Sequence, residues 1–393
     1  MLISLRGHPG SGKTSLLQTM RRGQAHLVQV PLLQEAMRAG FAFWDPLHAE
    51  GVKSERLELA QALREVCGAQ RYLVGDDVAS LGQLLEAAGG RCDVAMVFLV
   101  APLWLLRARR AWRYARYFAS PEERLALDIG PTPELMDDFE ALQQEHPEVR
   151  VVYIDARDYP VQQVSAAAAR ALACDPPAAL PAAPGRGDYH PGLLLHGKLW
   201  GCQDEATERL ARQRLEAVLP EDLGGCTVLD IGAGTGLFAW EALHRGAAYV
   251  VAVEQDQRCV EFLRRVREHE QLPLSVCALD AAREELPAWY AHERLVRYDL
   301  ALLLNVLHWC ERPEELLART LAVCEECVIE TPFAPGTAPR LDETTPWPGL
   351  RCLPPQWLEA QAAAQGFRVV AMRTSPIYPG YRIIMRLRRE VSP

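Results

Sequence analysis

No apolar run in the sequence approaches the length that spans a bilayer, so no membrane partner is expected. No signal-peptide pattern opens the chain either. Leu2 to Arg6 already reads as a strand, which suits a cytoplasmic protein. Basic charge is not in excess: 42 Lys and Arg face 51 Asp and Glu, for a net charge of −9. That argues against a broad non-specific nucleic-acid surface and against a DNA duplex as partner, while leaving room for a local basic groove. A second CxxC pair is missing. The 11 Cys are scattered, and Cys324-Glu-Glu-Cys327 stands alone. Structural zinc usually takes four ligands at motif spacing, so these residues are expected to be reduced thiols. Internal repeats and disorder-type composition are absent too. Hydrophobic residues make up 49% and charged residues 24%, a globular balance. At 393 residues the chain suits two cores rather than one.

Two runs of alternating strand-like and helix-like segments fill that length. The first has candidate strands at 2–6, 26–30, 72–75, 94–100 and 149–154, with helical stretches such as 54–66 and 133–145. Such a βα rhythm implies a parallel sheet covered by helices. Residues 173–192 interrupt it with five prolines among Ala and Gly, a composition that sustains neither helix nor central strand. The second run has candidate strands at 227–230, 249–253, 274–278, 300–304, 327–330, 367–372 and 381–387. The expected boundaries are a first domain over 1–172, a Pro/Ala-rich linker over 173–188 and a second domain over 189–393.

Between the first strand and the next helical stretch lies Gly7-His-Pro-Gly10-Ser11-Gly12-Lys13-Thr14, the full Walker A spacing. Gly7, Gly10, Ser11 and Gly12 would let backbone N–H groups close around phosphates. Lys13 would bridge the β- and γ-phosphates of ATP, and Thr14 would hold Mg²⁺ at the start of a helix whose dipole favours anions. A glycine-rich turn is the bland alternative. The surrounding residues resemble small P-loop kinases of the polynucleotide-kinase and zeta-toxin type. In that resemblance, Arg107, Arg109, Arg110, Arg113 and Arg116 correspond to a lid that clamps ATP phosphates, with Arg109 and Arg113 as cofactor contacts. Asp76 of Gly75-Asp76-Asp77 corresponds to the acidic Mg²⁺ residue. A solvated helix face and a helix N-cap are the respective alternatives. The chain departs from those kinases after its second strand, where no Asp is found to take the acceptor's proton; Glu35 and Asp45 are the substitutes at hand.

The second run opens with Val228-Leu229-Asp230-Ile231-Gly232-Ala233-Gly234-Thr235-Gly236. Taken from Gly234, the glycines also satisfy a relaxed dinucleotide fingerprint with Ala239. Asp230 separates the readings. A carboxylate there suits the ammonium of a methionine moiety and would repel a pyrophosphate. The run resembles the first motif of class I S-adenosylmethionine (SAM) methyltransferases, and the later markers follow in order. Glu254 would accept ribose hydroxyls, Asp280 the adenine amino group, and Asn305 would end the fourth strand beside the sulfonium.

Residues 189–387 further resemble methyltransferases related to the tRNA wobble-uridine carboxymethyltransferase. The likeness rests on Tyr189-His190, on Gly197 to Gly201 and Gln203, on Leu304-Asn305-Val306-Leu307-His308-Trp309, on Pro313-Glu314 and on Val328-Ile329-Glu330-Thr331-Pro332. The chain departs at Trp309, where relatives often carry His after an aromatic, and it lacks their cluster of basic residues. His308 is the first candidate base for methyl transfer and Glu330 the second, and an acceptor that is already ionised needs neither. Tyr189, Trp200 and Trp309 are candidates for an aromatic lid or for ordinary packing.

The expected fold is α/β with two doubly wound domains. One is a P-loop NTPase-type parallel sheet; the other is a Rossmann-like methyltransferase sheet ending in an antiparallel hairpin. The expected function is bifunctional: an ATP-dependent kinase joined to a SAM-dependent methyltransferase. Lys13, Asp76 and His308 are the catalytic candidates, with SAM, ATP and Mg²⁺ as cofactors. A small molecule, nucleotide or RNA end would be the acceptor. A regulatory nucleotide-binding module in place of the kinase, and an RNA-modifying methyltransferase, remain open alternatives.

Overall fold

The computed structural model describes residues 1–7, 11–44, 72–76, 81–109, 141–173, 193–200, 205–333, 340–341 and 351–390, apart from 91, 103, 107, 142, 196–197 and 292–293. It divides into two compact units. One is Met1–Pro176 with Tyr290–Arg294; the other is Pro177–Trp289 with Leu295–Pro393. The expected helix over 54–66, most of that over 133–145, and the linker beyond Ala173 lie outside the described residues. Ala173 itself ends the helix Ala166–Ala173.

The first unit holds β1 (Leu2–Arg6), β2 (Val28–Gln29), β3 (Phe41–Trp44), β4 (Tyr72–Asp76), β5 (Val94–Val100), β6 (Arg150–Asp155) and β7 (Val161–Val164) in one sheet, ordered β2-β7-β6-β5-β1-β4-β3. Strands β3, β4, β1, β5 and β6 are mutually parallel and β1 lies at their centre. All seven residues of β5 (Val-Ala-Met-Val-Phe-Leu-Val) are buried, as a strand covered on both faces requires. The expected strand over 26–30 is corrected. Ala25–Leu27 forms a 3-10 turn and only Val28 and Gln29 pair, because Pro31 already opens the helix Pro31–Ala39.

The second unit holds β8 (Thr227–Ile231), β9 (Tyr249–Glu254), β10 (Leu274–Ala278), β11 (Tyr298–Leu304), β12 (Cys324–Pro332), β13 (Phe367–Thr374) and β14 (Arg382–Arg389). Their order is β10-β9-β8-β11-β12-β14-β13, with the first five parallel and the last two antiparallel. This is a doubly wound, Rossmann-like sheet with an antiparallel hairpin at one edge. Its core packs Val228, Val250, Val276 and Leu302 against Ala239, Val260 and Leu263 of the flanking helices. The strand order reverses beside β8, so the carboxyl ends of β8 and β11 frame the crevice where open α/β sheets take ligands. Cys324 and Cys327 are both buried within β12, where burial pushes the Cys324 thiol well above its usual range. The eight cysteines described are all free thiols.

Candidate functional site

In the first unit, the loop after β1 leads directly into α1 (Lys13–Arg21), with Gly12 in the left-handed region at its N-cap. Gly7 also has positive φ, and a Cβ there would stand 2.6 Å from the Leu99 carbonyl oxygen. No other residue fits this close approach of loop to β5. Lys13 Nζ donates to the Gly7 carbonyl at 2.6 Å. The Ser11 hydroxyl is buried without a hydrogen-bond partner among the described residues. Thr14 is half-buried in the first helical turn. Gly10, Asp45, Asp77, Arg110, Arg113 and Arg116 lie outside the described residues, as does Arg107. Asp76 ends β4, level with Leu5 of β1, which sets it at the carboxyl edge beside the loop. Glu35, the substitute base, receives the Tyr72 hydroxyl.

Arg109 is a correction to the expected phosphate clamp. It is 3% exposed, and its guanidinium donates to the carbonyls of Ala156 at 2.6 Å and Arg157 at 3.0 Å. A buried guanidinium needs acceptors, and here it finds them in the chain leaving β6. Arg109 therefore fixes that segment.

The second unit builds its site around the loop Gly232–Gly236, which joins β8 to α3; here α2 is Glu205–Val218 and α3 is Leu237–His244. Gly232, Gly234 and Gly236 all have positive φ. At Gly232 a Cβ would meet Val306 Cγ2 at 2.5 Å, so the segment after β11 rests directly on the glycine loop. Asp230 is the penultimate residue of β8, below this loop. It is buried, and its Oδ2 has no hydrogen-bond partner among the described residues. Burial first, then the neighbouring Glu254 charge, lift its pKa to about 7, against the opposing pull of Arg214 and the Ala239 amide.

Glu254 ends β9 and turns back to the loop. Its Oε2 accepts from Gly234 N and its Oε1 from Gln255 N and Asp256 N, each at 2.8 Å. The side chain expected to meet a ribose therefore also sets the glycine loop. Asp280 follows β10; its Oδ1 accepts from Ala282 N at 3.0 Å. Arg319 holds the same loop by donating to the carbonyls of Ala281, Ala282 and Glu284.

Asn305 follows β11 at φ +63°. Its side-chain amide donates to Glu330 at 3.3 Å and its carbonyl accepts from Arg382. Glu330 is a further correction. It is fully buried near the end of β12, with Oε2 accepting from Arg214 Nε at 2.8 Å and Oε1 from the Ser375 hydroxyl. A carboxylate so engaged pins α2, β12 and the β13–β14 turn together, and is not poised to take a proton. His308 sits in the 3-10 turn Leu307–Trp309, buried, with neither ring nitrogen partnered among the described residues. Burial, then the Arg382 charge, push its pKa down to about 3, so its imidazole is neutral at physiological pH. Trp309 lies beside it with ring centroids 5.0 Å apart and is itself exposed. Tyr189 lies outside the described residues, as does the Trp200 side chain.

Arg214, Arg319, Ser375 and Arg382 escape a reading from motifs. Each acts on a residue far along the chain, and no local spacing marks them.

Residues 229–326 match the family model described as "Methyltransferase domain". Among curated proteins, the chain is similar to the ribosomal RNA small subunit methyltransferase A of Sphingopyxis alaskensis, with 40% identity over 72 residues, 18% of this chain and 26% of that protein. It is also similar to the biotin biosynthesis bifunctional protein BioHC of Cellvibrio japonicus, with 35% identity over 133 residues, 33% of this chain and 24% of that protein. The chain thus spans about a quarter of the length of the curated relatives it matches. Among solved structures, an S-adenosylmethionine-dependent methyltransferase from Mesorhizobium loti aligns at 19% identity and a TM-score of 0.35, covering 44% of this chain and 95% of that one. Magnesium protoporphyrin IX methyltransferase from Synechocystis PCC 6803 aligns at 14% identity and a TM-score of 0.37, covering 48% and 90%. The matched segment of the second unit contains its glycine loop.

Proposed function

We propose that the second unit is a SAM-dependent methyltransferase. The observation that carries this reading is Asp230: a buried carboxylate with an oxygen unpartnered among the described residues, directly below a loop that leaves no room for a Cβ at Gly232. A cationic ligand end is what such a carboxylate lacks. Asp230 would hold the ammonium of SAM, Glu254 the ribose and Asp280 the adenine edge, while Asn305 and His308 face the acceptor. SAM supplies a methyl group on a positively charged sulfur. The protein's share is to align it with an acceptor and to exclude water. Glu254→Ala should weaken SAM binding at least about tenfold, roughly 1.4 kcal/mol, since it removes ribose contacts and the anchor on Gly234 N together. Calorimetry on the full chain measures this, and unchanged affinity would remove Glu254 from the site.

A second reading concerns the first unit. The central place of β1, the helix α1 opening at Lys13 and the Lys13 amine resting on the Gly7 carbonyl support a phosphate-binding reading. The unit then binds ATP with Mg²⁺ through Thr14 and Asp76, either as the kinase the resemblance implies or as a regulatory module. Lys13→Ala should abolish nucleotide binding and any ATP turnover while SAM affinity stays within about twofold. Binding without turnover in the parent chain would favour the regulatory module. Loss of SAM binding in a folded Lys13→Ala protein would contradict the division into two sites. An RNA acceptor is the rival for the methyl group. It draws on the resemblance to the wobble-uridine enzymes and on the names of the ribosomal RNA relatives.

A further inference from the structure

Among the described residues, the exposed large apolar side chains are Trp309, Met372, Tyr378 and Tyr381. Met372 lies on β13. The three aromatics lie at the carboxyl edge of the same sheet, Trp309 in the 3-10 turn after β11 and the two tyrosines in the β13–β14 turn. That turn is tied to the end of β12. Phe333 N donates to the Tyr381 carbonyl at 3.0 Å, and the Ser375 hydroxyl reaches Glu330. Trp309 is 58% and Tyr381 67% exposed, so each leaves a large flat ring in water. Single exposed apolar residues are ordinary, but three aromatics at one edge form a patch of the kind that receives a ligand. Val306, packed on Gly232, sets Trp309 close to the glycine loop.

At the same strand ends are two buried polar side chains that the fold leaves unmet. His308 is 1% exposed, and neither ring nitrogen has a partner among the described residues. Thr331, fully buried in β12, has its hydroxyl in the same condition. β11 and β12 are neighbours with Leu304 level with Glu330, so both orphans belong to one corner of the sheet. A buried donor or acceptor left unmet costs stability, and a ligand that supplies its partner recovers that cost. The His308 imidazole, at a pKa of about 3, stays neutral. It offers one N–H donor and one acceptor nitrogen, and it is too weak a base to take a proton from an acceptor. Trp309 rests against it with ring centroids 5.0 Å apart, so an exposed apolar face and a buried polar group stand side by side.

We infer that the methyl acceptor of the second unit is a planar aromatic small molecule, stacked on Trp309, with a polar ring atom or ring substituent hydrogen-bonded to His308. This rests on the SAM reading above. The stack takes the flat face of a ring, which an aliphatic acceptor lacks. Neutral His308 accepts from a phenolic hydroxyl or donates to a carbonyl or ring nitrogen, and so orients the ring. Tyr381 adds a second exposed ring at the rim, and the Tyr378 ring lies 5.7 Å from the Arg382 guanidinium carbon. The net charge of −9 sets a free small molecule ahead of an RNA base, since backbone phosphates call for clustered cations.

The test uses the full chain saturated with S-adenosylhomocysteine and follows binding by ¹⁹F NMR. The probes are 4-fluorophenol, its saturated counterpart 4-fluorocyclohexanol, and fluorobenzene, which lacks the hydroxyl. 4-Fluorophenol should bind at least about fivefold tighter than either of the others. Trp309→Ala, at an exposed position, should erase most of the preference for phenol over cyclohexanol, and Trp309→Phe should keep it. His308→Phe should abolish the advantage of 4-fluorophenol over fluorobenzene while fluorobenzene itself binds within about twofold of its parent affinity, a split that a loosened turn would not give. Both sites should leave S-adenosylhomocysteine affinity as in the parent. A cyclohexanol that binds as well as the phenol, an unchanged preference in Trp309→Ala, or binding of a short single-stranded RNA but of none of the free rings overturns the inference and leaves the donor reading standing. Failure of the chain to bind S-adenosylhomocysteine at all overturns the donor reading, and this one with it.

Discussion

Asp230→Asn should lower SAM affinity by at least about a hundredfold at pH 7.5, roughly 2.7 kcal/mol, while raising the melting temperature of the ligand-free chain. Both effects come from the same burial. The carboxyl has its pKa lifted to about 7 because ionising it inside the fold forfeits hydration and brings it against Glu254. The sign follows from linkage. The folded state holds this proton more tightly than the unfolded chain, so the stabilisation is complete below the unfolded pKa and is lost as pH rises through about 7. Asparagine removes that loss, so the variant's gain in melting temperature should be clear at pH 7.5 and vanish near pH 4. The affinity profile runs the other way. Only the carboxylate can pair with the ligand's ammonium, so SAM binding to the parent chain should weaken as pH falls from 7 to 5.5. In the variant it should be flat. Parallel profiles in the two proteins would remove Asp230 from the ligand site.

Glu330→Ala should destabilise the second unit by about 3–5 kcal/mol, the cost of leaving a buried guanidinium unpaired. Arg214 would keep its place over the Phe238 ring, at 4.8 Å, with no carboxylate to meet it. Ser375 and the Asn305 amide would lose their acceptor at the same time. Glu330→Gln, which keeps an acceptor oxygen, should lose less. Urea unfolding followed by a probe in the second unit should show an earlier midpoint with an unchanged slope. A shift under about 1 kcal/mol would mean that Glu330 is not the pin described here.

The second unit's sheet was legible because its buried parallel strands read as apolar runs. β10 agrees with expectation end to end, and β8 and β9 each run one residue further. The glycine loop and Asp230 were legible because positive φ and a strand-end carboxylate leave a local mark. β3 and β7 were missed for physical reasons. β3 is four residues long and directly follows Gly40; β7 is Val-Gln-Gln-Val, an antiparallel strand with little apolar content. The buried cluster around Glu330 was illegible. Arg214 and Glu330 are 116 positions apart, and Arg382 and Asn305 are 77 apart. No window of sequence shows that Glu330 is spoken for, so it reads as a free base. Arg109 misleads similarly: a row of arginines suggests solvent or phosphate, while its partners are carbonyls 47 and 48 residues on.

The central claim is that the glycine loop with Asp230 and Glu254 receives SAM rather than a dinucleotide. Titration calorimetry of the full chain at pH 7.5 tests it most directly, with SAM and NAD as the two ligands. The account predicts a single SAM site, competed by S-adenosylhomocysteine, and no heat from NAD. Silence with SAM in a folded protein, or binding of NAD that SAM cannot displace, would contradict it.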